Sequence, residues 1–367
     1  MENKEINSET LKKLQIKIMQ DVSASAIIPL MRIGDQLGIF KKLSEIGEVS
    51  SNELAKATAL DERYLREWLY AVSAAGFATY NVETQKFLLT PEQIAVFADD
   101  DSPASMMGAY DMLTGAIHNE DQVKEAFKTG DGVDYKDSCP ICFQGTARFF
   151  KPSYEKNLVT SWLPKIENLE ERMNAGASFA DIGCGYGLST MIIAQTFPNA
   201  KVCGYDIHEP SIKEAEKLAK EAGLDERIKY TTADAKSYHG KHDYIAFFDC
   251  LHDMGDPVGA AKYAYDQLED DGSVILIEPR ANDKPQDNFN LFGQMYYSFS
   301  TIGCIPTSKS QEVGLALGAQ AGPSKLIDVL NEAGFKNCKV VKKNASNMVI
   351  EAPVSYTHLT LPTICSV

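Results

Sequence analysis

The second half of the chain repeats one pattern, in which a short apolar run is followed by an amphipathic stretch. Leu188 to Phe197, for example, follows the first of these runs and has the spacing of a helix that buries one face. Strands that alternate with helices in this way are typical of an α/β fold with a largely parallel sheet. The predicted strands are the runs at 177–180, 201–205, 227–232, 243–248 and 273–277.

The first hundred residues predict a small helical domain that ends in a hairpin. An apolar helix with a period near 3.6 is predicted over 26–43. A second helix is predicted over 51–58 with Ser51 as its N-cap, and a third over 61–75 that stops at Gly76. Two short runs then flank a polar turn, which is the pattern of a winged helix. These runs lie at 77–80 and 86–89.

The chain is long enough for two domains, and the pattern divides it further. Residues 1–100 are predicted to form an N-terminal helix and winged-helix domain, and 101–175 a helical linker or lid rich in Met, Phe and Tyr. Residues 176–353 are the predicted sheet domain. Residues 354–367 do not continue the pattern of that domain, and their sequence looks like the in-frame translation of a sequencing adapter. This tail is therefore not expected to contribute functional residues.

The most distinctive motif joins the first predicted strand to its helix and reads Asp-Ile-Gly-Cys-Gly-Tyr-Gly at 181–187. Its three glycines permit a sharp turn with positive φ and a close approach of a ligand to the backbone. A dinucleotide-binding G-x-G-x-x-G motif would have its third glycine at 188, which is Leu. The spacing disfavours an NAD-dependent dehydrogenase. It favours a smaller nucleoside that lies across the loop beside the Asp181 carboxylate.

Acidic residues follow the next strands at the points where each strand ends. Asp206 ends the second strand, where a carboxylate can accept hydrogen bonds from both ribose hydroxyls. Asp234 follows the third strand and could reach an exocyclic purine amine, and Asp249 and Glu278 follow the fourth and fifth. A single Asp after a strand is commonly a helix cap or a solvated loop residue. The complete series favours a ligand site, because open α/β sheets bind ligands at this edge.

Three blocks of the chain resemble the class I S-adenosylmethionine-dependent methyltransferases. The resemblance is strongest to bacterial members with an N-terminal winged helix that are similar to plant small-molecule O-methyltransferases. It covers roughly residues 20–353. The blocks are the glycine loop, Phe-Asp-Cys-Leu-His-Asp-Met-Gly-Asp-Pro at 248–257, and Ser-Gln-Glu-Val-Gly-Leu-Ala-Leu-Gly-Ala-Gln-Ala-Gly at 310–322.

The resemblance implies a Rossmann-like seven-stranded sheet of order 3-2-1-4-5-7-6, with helices on both faces and an antiparallel last strand. Residues 335–341 and 347–352 would form the final hairpin. It also implies S-adenosylmethionine as cofactor, S-adenosylhomocysteine as product, and a homodimer formed through the N-terminal domain. The implied cofactor-binding residues are Asp181, Gly183, Cys184, Gly185, Gly187, Asp206, Ile207, Asp234, Ala235, Phe248 and Asp249.

His252 is the candidate general base. Its unperturbed pKa suits proton abstraction near neutral pH, and a hydroxyl acceptor must lose a proton as it is methylated. It matches the histidine that serves as base in plant O-methyltransferases, and Glu278 matches an acidic residue that steadies that base. Met254 stands where the plant enzymes carry Trp, so their substrates are not carried over. The alternative is a structural His252 that positions the loop. No metal ligands are predicted.

Other polar residues near this motif are expected to have structural roles. Asp253 and Asp256 are expected to organise the loop and to cap the helix that starts near Pro257. The remaining histidines before the tail are predicted to lie in loops or at the surface. They are His118, His208, His239 and His242.

Charge argues against nucleic acid as a partner. The chain has a formal net charge of −15, and residues 21–100 contain seven Lys or Arg against twelve Asp or Glu. Affinity for DNA comes largely from a basic surface, which this domain lacks. No apolar run approaches the length of a membrane span, and Met1 to Gln20 has no signal-peptide core. The chain is therefore predicted to be cytoplasmic.

The eight cysteines show no disulfide framework and are predicted to be reduced thiols. Cys139 and Cys142 form a lone C-x-x-C pair with no second pair nearby, which disfavours a zinc or redox role. The acceptor is expected to be a small molecule, conceivably a flat apolar phenol. Its wall would come from an aromatic and Met stripe at 289–305 and from Met and Tyr residues at 106–112. The stripe contains Phe292, Met295, Tyr296 and Phe299, and the second set Met106, Met107, Tyr110 and Met112.

Two functions of different kinds are compatible with these residues. The first is a methyltransferase that acts on a small molecule, most plausibly at oxygen, with His252 as base. The second is a catalytically silent S-adenosylmethionine-binding protein that regulates through its winged helix. Both keep the cofactor site, and the complete Leu-His-Asp segment at 251–253 favours the enzyme.

Overall fold

The computed structural model describes residues 6–355, which form two compact units. The first contains the residues up to Thr114 together with Gln144–Pro152, and the second contains Gly115–Phe143 and the residues from Ser153 onward. Residues 101–175 are thus divided between the two units. Most of the predicted adapter tail, including His358 and Cys365, lies outside the described residues.

The first unit is helical and carries a two-stranded antiparallel hairpin, in agreement with the predicted winged helix. Its core contains Leu43, Leu54, Leu69 and Trp68, whose indole N–H donates to the Leu30 carbonyl at 2.8 Å. The elements are α1 (Ser8–Ala26), α2 (Ile28–Gln36), α3 (Ile39–Ile46), α4 (Ser51–Thr58), α5 (Glu62–Ala74), β1 (Thr79–Asn81), β2 (Lys86–Leu88), α6 (Pro91–Phe97) and α7 (Met107–His118), which ends in the second unit.

Two local predictions in this unit are wrong. The predicted single helix over 26–43 is interrupted. Pro29 lies in the first turn of α2, and Gly38 adopts φ 65° before α3, a conformation that most residues avoid. The N-cap of α4 is Ser50 and not Ser51. Its hydroxyl accepts from the Glu53 backbone N–H, and the Glu53 carboxylate accepts from the Ser50 backbone N–H, which forms a capping box.

The second unit is built on a seven-stranded sheet. Its strands in chain order are β3 (Ser178–Ile182), β4 (Lys201–Asp206), β5 (Ile228–Thr232), β6 (His242–Phe248), β7 (Leu268–Pro279), β8 (Lys339–Lys343) and β9 (Asn347–Pro353). Their order in the sheet is β5-β4-β3-β6-β7-β9-β8, and β9 is antiparallel to both of its neighbours. The predicted order 3-2-1-4-5-7-6 with an antiparallel last strand is confirmed.

Helices cover both faces of this sheet. Along β3 and β6, residues of alternate parity, such as Ala180 and Phe179, are equally buried. One face packs against buried residues of α13 and α16. The helices of this unit are α8 (Glu120–Thr129), α9 (Pro140–Asn157, which begins and ends here), α10 (Leu169–Asn174), α11 (Leu188–Thr196), α12 (Glu209–Glu221), α13 (Pro257–Gln267), α14 (Leu291–Phe299), α15 (Ile305–Lys309) and α16 (Pro323–Ala333).

Two strands differ in extent from their prediction. The first strand of the final hairpin begins at Lys339, because Phe335 is fully buried next to the end of α16 instead. The fifth strand of the sheet, β7, extends through Glu278. Glu278 therefore belongs to the sheet itself. Among residues 6–355, no helix is both long enough and apolar enough to cross a bilayer.

Candidate functional site

The glycine loop turns sharply at the carboxyl end of β3. Gly183, Gly185 and Gly187 have φ of 73°, 54° and 74°. A Cβ at Gly187 would lie 2.3 Å from the Tyr230 hydroxyl, whereas a Cβ at Gly185 would have no neighbour within 4 Å. Packing against Tyr230 therefore excludes a side chain at Gly187. The space beside Gly185 is open and could hold part of a ligand.

Asp206 lies beside this loop at the end of β4. One carboxylate oxygen accepts from the Gly185 backbone N–H and the other from the His208 backbone N–H, both at 2.8 Å. Burial raises the pKa of this carboxyl. Each oxygen has two lone pairs, so each can still accept from a ligand hydroxyl. Asp206 thus fixes the loop and keeps acceptor capacity for a diol.

Asp181 lies below the loop in β3 and is fully buried. Its Oδ2 accepts from the hydroxyls of Ser189 and Thr190 at 2.6 and 2.7 Å. Its Oδ1 is buried and has no hydrogen-bond partner among the described residues. Burial raises the pKa of Asp181 to about 6. A buried oxygen left without a donor is costly, so Oδ1 is suited to a donor that a ligand or a water brings.

Asp234 and Ile207 lie near the surface. Asp234 accepts from the Lys236 backbone N–H at 2.8 Å, as in an Asx turn, and its side chain is exposed. Ile207 is 44% exposed, and Ala235 is half-buried. Asp234 therefore caps a local turn in this structure. The predicted contact of Asp234 with a purine amine stays a prediction.

Asp249 follows β6 and is held by two donors. The Tyr154 hydroxyl donates to Oδ2 at 2.8 Å, and the Asn347 amide donates to Oδ1 at 2.9 Å. The backbone of Asp249 has φ 50°, a strained value for a residue other than glycine. Burial, and next the charge of Glu278, raise the pKa of Asp249 to about 8. The carboxyl is therefore largely protonated at neutral pH.

This raised pKa predicts a pH-dependent stability. Between the unfolded pKa near 3.9 and the folded value, the folded state holds a proton that the unfolded state has lost. The stabilisation is complete below the lower value and is lost as the pH rises through about 8. We expect the free energy of unfolding of the ligand-free protein to fall from about pH 6 to pH 9, by up to about 1.4 kcal/mol per pH unit. The thermal midpoint should fall with it. Asp249→Asn should reduce this slope, and the remainder is expected from His252, whose pKa is also raised.

The measurement is thermal unfolding across that pH range, followed by circular dichroism. Asp225→Asn, at an exposed position, is the matched control and should keep the wild-type slope. An Asp249→Asn protein that loses stability with pH as steeply as the wild type would show that another group is responsible.

His252 lies in a short 3-10 helix, Leu251–Asp253, that directly follows Cys250. It is buried, and its Nδ1 makes a short hydrogen bond with the Glu278 carboxylate. The second Glu278 oxygen accepts from the Leu251 backbone N–H at 3.1 Å. Burial alone would lower the pKa of His252, but the charges of Asp253 and Glu278 outweigh it and raise the pKa well above its usual value. The structure thus unites the predicted base with its predicted acidic partner.

Three residues at the site were not found from the sequence. Tyr154 bonds Asp249, and Cys304 lies against His252 and Asp253. The pKa of Tyr135 is raised by burial, next by the charge of Asp206 and then by that of Asp253, so Tyr135 also lies near the site. All three come from segments outside the strand-end pattern. Tyr135 and Tyr154 belong to the aromatic-rich middle segment, whose composition was the only available signal.

His208 and His242 are both buried. His208 lies in the loop between β4 and α12, which agrees with a loop position, whereas His242 belongs to a strand, so the prediction for His242 is wrong. His208 Nδ1 pairs with the Ser211 hydroxyl at 2.7 Å, and its ring stacks on Phe143 with centroids 4.2 Å apart. His242 begins β6 and packs near Tyr205 and Tyr238. His118 and His239 are exposed, as predicted.

The other structural predictions around the site have mixed outcomes. Asp256 caps α13 by accepting from the Gly259 backbone N–H at 2.8 Å, as predicted. In the aromatic stripe on α14, only Tyr296 is buried, whereas Met295 and Phe299 are half-buried and Phe292 is 45% exposed. The second predicted set belongs to the first unit, where Met107 is part of the core. These residues are Met106, Met107, Tyr110 and Met112.

The strand order and the glycine loop at the carboxyl end of β3 define a class I methyltransferase fold. Residues 173–319 match the family described as methyltransferase domain, and residues 24–98 match the Rv2258c-like winged HTH domain. No curated protein sequence matches the chain significantly. The chain is a class I S-adenosylmethionine-dependent methyltransferase with an N-terminal winged-helix domain.

Solved structures of methyltransferases share this fold. Human N-acetylserotonin methyltransferase, solved in complex with SAM, is 15% identical, with 96% of this chain and 99% of that chain covered and a TM-score of 0.71. The mitomycin 7-O-methyltransferase MmcR is 16% identical, with 95% and 100% covered and a TM-score of 0.68. An O-methyltransferase family protein from Burkholderia thailandensis is 13% identical, with 96% and 99% covered and a TM-score of 0.67. At these identities the likeness is one of fold.

Proposed function

We propose that the protein transfers a methyl group from S-adenosylmethionine to an oxygen atom of a small-molecule acceptor, with His252 as general base. The observation that carries this proposal is the buried pair of His252 and Glu278 at the strand edge that also bears the glycine loop. A purely cofactor-binding regulator would not need an acid–base pair there. The similar solved structures named as O-methyltransferases support the choice of oxygen.

The residues around the glycine loop fit this cofactor. Asp206 has acceptor capacity for the two ribose hydroxyls, and Asp181 Oδ1 lacks a donor that an ammonium group or a water could supply. The open space at Gly185 allows a nucleoside to approach the backbone. The proposed set is completed by Gly183, Cys184, Gly187, Ile207, Asp234, Ala235, Phe248 and Asp249. The bound cofactor would supply an electrophilic methyl group on a positively charged sulfur.

The chain itself would control the proton. Glu278 holds Nδ1 of His252, so Nε2 is the nitrogen left to take a proton from an acceptor hydroxyl. The raised pKa of His252 means that the ring is charged at rest. A second positive charge near the site opposes that charge and lowers the pKa. Cofactor binding would therefore favour the neutral ring, which is the form that acts as base.

The winged helix is proposed to serve assembly and not nucleic-acid binding. On α5, Arg63 pairs with Glu67 and Arg66 with Glu62, so the basic side chains of this helix are already neutralised within it. The described cysteines are free thiols, which supports the proposed cytoplasmic location.

We also propose that a second copy of the chain covers α1. None of its residues is buried, and Leu11, Leu14, Ile18 and Val22 recur at helical spacing with at least 44% exposure. A contiguous apolar stripe of this kind marks an interaction surface. We expect Leu14→Asp combined with Ile18→Asp to convert a dimer into a monomer, as measured by light scattering after size exclusion.

The matched control combines Gln20→Asp with Ala24→Asp, on the other side of the helix, and should stay dimeric. A monomeric wild type, or two variants that dissociate equally, would contradict the proposed role of the stripe.

The proposed reaction is tested by measuring S-adenosylhomocysteine release with a panel of phenols, aliphatic alcohols, amines and thiols. Release that depends on a hydroxyl acceptor is the expected result. Cofactor binding without transfer to any acceptor, together with cofactor-dependent binding to a DNA fragment, would favour the regulator instead.

A further inference from the structure

The proposed base and two further side chains bring three different ligand atoms close together. His252, Asp253 and Cys304 each offer one such atom, and these atoms all lie within 4.8 Å of one another. His252 and Asp253 come from the segment after β6, whereas Cys304 ends a π-helical turn, Ser300–Cys304, between α14 and α15. Single π-helical turns occur frequently at functional sites. Methyl transfer as proposed above makes no use of the thiol.

The spacing of two of these atoms is that of ligands around a shared ion. His252 Nε2 lies 3.3 Å from Asp253 Oδ1, yet the two atoms do not form a hydrogen bond. Asp253 Oδ1 is buried and has no hydrogen-bond partner among the described residues. Zinc–nitrogen and zinc–oxygen bonds of about 2.0–2.2 Å with tetrahedral angles separate the two ligand atoms by roughly 3.3–3.5 Å. The two atoms form an ion pair when the ring is protonated, and their separation also fits two ligands of one shared ion.

The surroundings favour a cation at that point. Glu278 holds Nδ1 of His252, the arrangement in which a carboxylate orients a metal-ligating imidazole. Burial leaves few water molecules to screen the negative charge of Glu278, whose side chain is 1% exposed, and Asp253 adds a second, partly exposed negative charge. Among the described residues, no Lys or Arg forms an ion pair with Asp253 or Glu278.

We propose that His252 Nε2, Asp253 Oδ1 and Cys304 Sγ form a binding site for zinc or a similar divalent cation. Three protein ligands leave one tetrahedral position open, as in sites that exchange a water or a substrate atom. On binding, the thiol proton and the Nε2 proton of the imidazolium pass to the buffer, and one bond from each of the three side chains forms to the ion.

The site has a consequence for activity, which rests on the proposed function. A metal at Nε2 occupies the lone pair that would accept the proton of the acceptor. Zinc should therefore inhibit methyl transfer to hydroxyl groups in competition with proton abstraction. Metal binding itself does not depend on that reaction and can be measured without it.

The experiment uses the full chain without an affinity tag, freed of metal with a chelator and titrated with cobalt(II) and zinc(II). Cobalt bound by a thiolate gives a sulfur-to-cobalt charge-transfer band in the near ultraviolet. We expect this band in the wild type and in Cys338→Ser, whose thiol lies near Asn331 on a separate segment. Cys304→Ser should abolish the band and weaken zinc binding by more than about 100-fold, beyond the 10–100-fold typical of changes outside the ligand shell.

Further variants keep the proposal testable if Cys304→Ser does not fold. Asp253→Asn should retain the cobalt–sulfur band and weaken zinc binding at least tenfold. Inhibition of each variant by zinc is measured against the activity of the same variant without zinc. Metal binding is measured separately, so a protein that transfers no methyl group can still bind metal and support the site. Absence of the band in the wild type would overturn the proposal. So would a band that persists in Cys304→Ser and disappears in Cys142→Ser, which would assign the metal to the C-x-x-C pair.

Discussion

The His252→Ala protein is expected to transfer methyl groups to a hydroxyl acceptor about 100- to 10,000-fold more slowly than the wild type, the range typical of a lost general base. Its affinity for S-adenosylmethionine should be nearly unchanged, because the proposed cofactor contacts come from the glycine loop and Asp206. The loss should fall mainly on kcat, since the proton moves in the transition state.

The acceptor provides the readout that separates a base from a structural histidine. A phenol with electron-withdrawing substituents is largely ionised near neutral pH and needs no base, so its rate should fall far less in His252→Ala than that of an unsubstituted phenol. A histidine that merely supports the loop would slow both acceptors equally. His239→Ala, at an exposed loop position, is the matched control and should behave as the wild type. Equal losses for both phenols would refute the proposed role.

The Asp206→Ala protein is expected to lose at least about 100-fold in affinity for S-adenosylmethionine and for S-adenosylhomocysteine. Hydrogen bonds to a charged group contribute about 1.5–3 kcal/mol each, and two such bonds correspond to a factor of 100 or more. The variant also removes the acceptor for the Gly185 and His208 backbone N–H groups, which would loosen the loop. Both effects act in the same direction.

Calorimetric titration of both ligands into the full chain measures this loss. Asp206→Asn separates the two effects, because its amide oxygen can hold one backbone N–H while the negative charge is gone. It should bind more weakly than the wild type and more tightly than Asp206→Ala. Asp225→Ala, an exposed aspartate, should bind as the wild type does. A folded wild type that binds neither ligand would remove the basis for methyl transfer.

The sheet could be predicted because its signals are local. Each apolar run is short, and Asp206 and the glycine loop mark two strand ends directly. The order of the strands came from the resemblance, since nothing in the spacing of runs distinguishes one doubly wound order from another. The break of the first predicted helix was missed because the apolar pattern continues across Gly38, and only the backbone conformation there ends the helix.

The site could be predicted only where strand ends supply it. His252 comes soon after β6 and Glu278 lies near the end of β7, and the structure brings them into contact. Tyr154 and Cys304 enter from helices whose positions no local pattern specifies, and their partners are distant in sequence. The burial of His208 was not predicted, because it depends on Phe143, a residue far away along the chain. Long-range packing of this kind has no periodic signature.

The attachment of the proposed base to Glu278 has a consequence for how such proteins diversify. Glu278 lies in β7, between β6 and β9, and one carboxylate holds both the Leu251 backbone and the His252 ring. The acid–base pair is thus anchored to the least deformable part of the unit. The helices around 289–305 can exchange their exposed aromatic residues without disturbing it. Selection for a new acceptor could therefore act on those helices alone, while the proton-handling chemistry is inherited intact.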